Sequence, residues 1–170
     1  MTLLDIFLGR QRLTLTEAER AVVFRKGRIM DVLGAGEHVL RREDVIERHD
    51  LSNAVFVSKF EDALRRERND LFEAHLTDIR TGVDEVAIVS RDGRIATVVG
   101  ADARMTVWTD VGPWAVETID LSEGFRMPKA LGDRLERARK TALMTRVEVA
   151  ESDVGLLFVC LLYTSPSPRD

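Results

Sequence analysis

The sequence predicts an α+β protein made of two repeated antiparallel β-meanders, each followed by helix, with a third repeat begun and cut off. Three observations predict this. A segment near the N-terminus recurs 66 residues later. Each copy is a series of apolar runs broken by glycine turns. An amphipathic stretch follows each copy.

The first copy reads ERAVVFRKGRIMDVLGAG, residues 19–36, and the second EVAIVSRDGRIATVVGAD, residues 85–102. Ten of these 18 positions are identical, so a shared fold is the simplest account. In each copy a β-branched apolar run comes first, Ala21 to Phe24 and Val86 to Val89. Lys26-Gly27 and Asp92-Gly93 then supply tight turns in which glycine takes positive φ. Ile29 to Leu33 and Ile95 to Val99 return as second strands. Gly34-Ala35-Gly36 and Gly100-Ala101-Asp102 break those strands. The strands resume at His38 to Leu40 and at Met105 to Trp108. Closing strands follow at Val45 to Leu51 and Trp114 to Leu121, both ending in Asp-Leu-Ser. The offset there is 70, which places a four-residue insertion around Thr109 to Pro113.

Two helical stretches separate these units. Residues 60–75 put Phe60, Leu64, Leu71 and Phe72 on one face, with a break expected at Asn69-Asp70. Residues 128–145 form a second amphipathic helix, with Pro128 in its first turn and Leu131, Leu135, Ala138 and Ala142 as its stripe. Residues 149–159 parallel residues 15–25 and start a third repeat. The Ser/Pro run that follows lacks the repeat's turn and reads as a non-native tail. The expected organisation is 1–12 as an N-terminal segment able to lie on a surface as a peripheral helix, 13–80 as the first repeat, 81–146 as the second, 147–159 as the third begun, and 160–170 as the tail.

Composition excludes several classes. A net charge of -4 argues against a protein that works by neutralising nucleic-acid phosphates. The single Cys160 forms no internal disulfide framework. The longest uncharged apolar run, Val154 to Tyr163, is half the length of a membrane span. The opening MTLLDIFLGR carries Asp5 with no basic region before it, unlike a secretory signal.

No catalytic constellation stands out, and no cofactor or metal is expected. Gly34-Ala35-Gly36 lacks the third glycine of a dinucleotide loop and precedes a strand. Gly27, Gly34, Gly36, Gly93 and Gly100 are structural turns. His38, His49 and His75 fit no local zinc spacing, although His38 and His49 are placed to meet across a hairpin. No serine sits in a nucleophile elbow. Asp50 and Asp120, equivalent by repeat, read as turn formers before Ser52 and Ser122. Arg65-Arg66-Glu67-Arg68, with Arg41-Arg42, reads as a solvated face, with an anionic lipid or acidic partner as the alternative. Trp108 and Trp114 flank the inserted loop as core plugs or as interface anchors.

The run Glu19 to Arg28, followed by Val32 to His38, resembles the opening of the slipin branch of the band 7 (stomatin–prohibitin, SPFH) family. Members typically read E-x-G/A-V-V-x-R-x-G-R and then G-P-G-x-H. Here Gly34, Gly36 and His38 match, and Ala35 replaces the proline. Asp50-Leu51-Ser52 resembles the family's v-D-l-R strand end, with serine for arginine. The resemblance is best over residues 17–52, and residues 85–145 look like a divergent subgroup with doubled motifs. It implies a non-catalytic scaffold, membrane-associated or for assembly, that self-associates and is cytoplasmic, either free or peripheral at the inner face of the plasma membrane. An NfeD-type membrane protein and a lipid surface are the partners it implies. The family's hydrophobic anchor and C-terminal coiled coil have no counterpart in these residues. The alternative is an enzyme, or a module binding a small molecule or lipid, that uses a cleft between the repeats.

Overall fold

The computed structural model describes residues 9–122 and 127–144. It is α+β, with ten strands in four small antiparallel sheets and three α-helices among the described residues. The first half contains β1 (Arg10–Leu15), β2 (Glu19–Arg25), β3 (Arg28–Leu33), β4 (Gly36–Arg41) and β5 (Val45–Asp50). Two short helices follow, α1 (Glu61–Glu67) and α2 (Asn69–His75). The second half contains β6 (Leu76–Arg80), β7 (Glu85–Arg91), β8 (Arg94–Val99), β9 (Arg104–Trp108) and β10 (Trp114–Asp120), then α3 (Lys129–Arg137). A 3₁₀ turn, Thr109–Val111, sits where the insertion is expected.

The halves pair their strands identically. β2 lies between β3 and β5, and β7 lies between β8 and β10. β1 pairs with β4, and β6 with β9. This differs from two meanders. The resumed strands β4 and β9 leave the hairpin sheet and pair with β1 and β6, which the sequence reading left unassigned. Because β6 pairs with β9, the second half begins at Leu76 and not at residue 81. The first half likewise takes in Arg10 to Arg12.

Local details repeat as well. Lys26 and Gly27 have φ of 50° and 77°, and Asp92 and Gly93 have 50° and 73°. Positive φ at both turn positions matches the right-handed twist of the flanking strands. One residue is bulged at Val23/Phe24 and again at Val89/Ser90. The Glu19 carboxylate accepts from the Thr16 N–H, and the Glu85 carboxylate from the Gly82 N–H. Asp50 accepts from the Ser52 N–H and Asp120 from the Ser122 N–H, each at 2.8 Å, as the turn-former reading expects.

The apolar runs of β2 and β7 are continuous because these central strands are covered on both faces. Ala21 meets Leu13 and Leu15 of β1, while Val22 and Phe24 meet the helices. Ala87 and Val89 meet Ile79 and Val107, while Ile88 meets Leu131 and Leu135 of α3. Each half is therefore a helical layer, a three-stranded sheet and a two-stranded sheet.

The helices depart from expectation at their ends. α1 and α2 break at Arg68, the residue before Asn69, and neither Asn69 nor Asp70 caps α2. α3 starts after Pro128 and stops at Arg137, well short of residue 145. Arg139 takes φ 56°, and the N–H groups of Arg139 and Lys140 bond to Glu136 and Leu135 carbonyls. This two-bond closure in left-handed conformation ends a helix. Ala142 is exposed beyond it. The third repeat, the tail and the start of the N-terminal segment lie outside the described residues.

The two halves share one core. Leu76 and Trp108 of the second half are buried with Val22, Phe24, Phe56 and Leu64 of the first. Ala54 to Phe56 run along β9, where the Phe56 N–H bonds to the Thr106 carbonyl and the Trp108 N–H to the Ala54 carbonyl. Arg65 on α1 reaches Asp78 and Thr106 and lies over the Phe72 ring. Arg20 pairs with Asp110 at 2.8 Å. Leu64 is 1% exposed at this junction. Leu64→Ala is expected to cost about 2–5 kcal/mol of stability, read by urea unfolding.

Candidate functional site

A groove of about 770 Å³ lies between the halves. Its first wall is Ser52 to Val55, the segment leaving β5. The facing wall is the β7–β8 hairpin with Met105 and Val107 of β9, Trp114 of β10 and Lys140 after α3. A volume of this size falls within the range of small-molecule sites.

The hairpin turn at Asp92-Gly93 brings Arg91 and Arg94 directly opposite each other. Like charges in that position repel. Arg91, Arg94 and Lys140 have no acidic partner among the described residues. Asp92 is the one carboxylate among the described lining residues.

The same hairpin in the first half is built differently. Arg25 and Arg28 face each other as Arg91 and Arg94 do. Arg25, however, makes two hydrogen bonds to Asp44, at 2.7 and 3.0 Å. The Asp44 side chain is fully covered and also accepts from the Arg41 N–H. The Arg25 guanidinium, aided by that N–H, holds the Asp44 carboxyl below the usual carboxylate range. Closing strands match at an offset of 70, which sets Trp114 in the place of Asp44. The Trp114 indole N–H donates to the Trp108 carbonyl at 2.9 Å, and its ring borders the groove. One substitution between repeats thus removes the carboxylate and leaves Arg91 facing the groove.

The two tryptophans have separate roles. Trp108 is 1% exposed and packs edge-on against Phe56. It is a core residue, which corrects its candidacy for an interface, while Trp114 keeps surface in the groove. Gly27 and Gly93 form the hairpin turns, Gly34 and Gly100 lie in the strand breaks, and Gly36 opens β4 with φ 128°. Arg65 and Arg68 are not a free cationic face. Arg65 binds Glu61, Asp62 and Asp78, and Arg68 binds Asp70 and the carbonyls of Ile29 and Met30.

His38 and His49 do not meet. His38 sits on β4 opposite Leu13 and bonds the Gly34 carbonyl, whereas His49 sits on β5 opposite Arg20. Among the described residues no group of three or more His, Cys, Asp or Glu side chains converges as a metal site. None of their helices is long and apolar enough to cross a membrane. His49 is wedged between Phe56 and Trp108, with the Glu47 carboxylate at 3.4 Å and no hydrogen bond at Nε2.

Sequence reasoning named Trp114 but gave Arg91, Arg94 and Lys140 no binding role. The signal lay in the repeat itself, since the 70-residue offset aligns Asp44 with Trp114. Searches of protein-family models, curated proteins and solved structures find no match to the chain.

Burial pushes the His49 imidazole below its ordinary value, against a smaller opposing pull from Glu47. Below about pH 6.5 the unfolded chain takes up a proton that folded His49 resists. Stability is therefore expected to fall as pH drops through that value. His49→Ile, the residue at the equivalent Ile119, is expected to flatten this dependence in urea titrations between pH 7.5 and about 5.

Proposed function

We propose that the chain is a non-catalytic assembly module of slipin (band 7) type, whose first partner is a second copy of itself. The observation that supports this most is the state of β10. It is an outer strand, and Ala115, Val116, Glu117 and Thr118 in its middle are all exposed. An outer strand offers unpaired N–H and C=O groups to another chain. β3, β5 and β8 end their sheets in the same way. A chain that repeats one open-edged unit presents the same edge more than once, which suits assembly by many weak contacts. The NfeD-type membrane protein, the lipid surface and a place at the inner face of the plasma membrane belong to the same reading, through the motif resemblance of residues 17–52.

A second reading, a binding module for a small molecule or lipid, is favoured by the groove and its unpaired cations. The two are compatible, because β10 contributes Trp114 to the groove and its remaining length to the edge.

Size exclusion with light scattering is expected to give a homo-oligomer whose mass falls with dilution. Val116→Lys, which places a charge on the exposed edge, is expected to shift it to monomer without lowering the melting temperature. A wild-type monomer at all concentrations would refute the self-association.

A further inference from the structure

The two hairpins form an internal comparison. Both set two arginines face to face, at Arg25/Arg28 and Arg91/Arg94. In the first half the buried Asp44 carboxylate partners one member of the pair, Arg25. In the second half the compensating position holds Trp114, a cavity opens beside it, and Lys140 adds a third cation. The chain as a whole is acidic, so this cationic lining runs against its average charge. Three cations and Asp92 give the described lining residues a formal charge of +2.

We propose that the groove binds a phosphate group carried on a small apolar body, seated between Arg91, Arg94 and Lys140 in the role that Asp44 fills in the first half. A phosphomonoester is close to a dianion at neutral pH and offers three acceptor oxygens. Guanidinium forks match such oxygens two at a time, and the ammonium of Lys140 adds a point charge. The phosphate relieves the repulsion between Arg91 and Arg94. Trp114, Ile95, Met105, Val107 and Val55 give the rest of the ligand an apolar wall. The phosphate can come from a soluble ester or from a phospholipid headgroup.

The test uses the full chain. n-Butyl phosphate is titrated by calorimetry and by tryptophan emission, since Trp114 borders the site. Vesicles of phosphatidylcholine with and without phosphatidic acid form the second arm. Saturable binding is expected in at least one arm, with a Kd near or below ~1 mM for the soluble ester. Arg94→Gln and Arg91→Gln are each expected to weaken it about tenfold, and added salt to weaken it further. Arg28→Gln, the matching change in the first half, is expected to leave it unchanged. Binding by vesicles alone assigns the phosphate to a lipid headgroup, and binding by the ester alone assigns it to a soluble molecule. Without ligand, Arg91→Gln is expected to melt at or above the wild-type temperature, whereas Arg25→Gln melts lower. Absence of saturable binding in both arms, or equal loss in Arg28→Gln and Arg94→Gln, would overturn the proposal. So would a melting loss in Arg91→Gln as large as in Arg25→Gln, because it would show that Arg91 has a structural partner.

Discussion

The packing of Trp108 into the first half's core is the contact on which the rest of this molecule depends. Sheets of two or three strands are marginal alone. Here the outer face of the first three-stranded sheet is closed by α1, α2, Phe56 and a tryptophan from the second half. The ring is nearly fully covered and touches both Phe56 and His49. Backbone bonds from the Trp108 N–H to the Ala54 carbonyl and from the Phe56 N–H to the Thr106 carbonyl fix the linker along β9. Because the linker is fixed, its preceding residues Ser52 and Asn53 form a stable wall for the groove. The joint thus makes one body of two repeats and creates the candidate site in the same step.

Divergence between the repeats follows position. The turn glycines, the positions of the bulges and the Asp-Leu-Ser endings are kept. Several residues facing the joint or the groove differ, although Arg91, Arg94 and Ile95 in the groove repeat Arg25, Arg28 and Ile29. Phe24, which stacks on Phe60 in the first half, becomes Ser90. His49, beside the joint, becomes Ile119 under α3. Asp44, which organises the Arg25 corner, becomes Trp114. A change of buried carboxylate to indole is costly wherever a cation then loses its partner inside the protein. Here the freed Arg91 opens onto a cavity, where water or a ligand anion can take up its charge.

The hairpins were legible because their signals are local. Two-residue turns with glycine, flanked by β-branched runs, determine their own pairing. The 66-residue repeat carried that reading from one half to the other. The partners of β4 and β9 were not legible, because the segments RQRLTL and LTDIR are short and polar, and their pairing spans many residues of chain. The early end of α3 was hidden for a different reason. Arginine at 139 closes the helix in a conformation that usually advertises itself as glycine. Of the candidate site, Trp114 was visible as an aromatic at an insertion. The arginines were visible only as conserved members of the repeat, and their lack of a partner emerges from three-dimensional comparison of the two corners.

Equilibrium unfolding in urea, followed at once by far-ultraviolet circular dichroism and by tryptophan emission, tests the shared core most directly. Circular dichroism reports strands and helices of both halves, while emission reports Trp108 at the joint and Trp114 at the groove. A joint that unites the halves gives coincident transitions with one midpoint and one slope, and Trp108→Ala lowers both together. Two separated transitions in the wild-type chain, with emission changing in only one of them, would contradict a common core and leave the groove without its fixed wall.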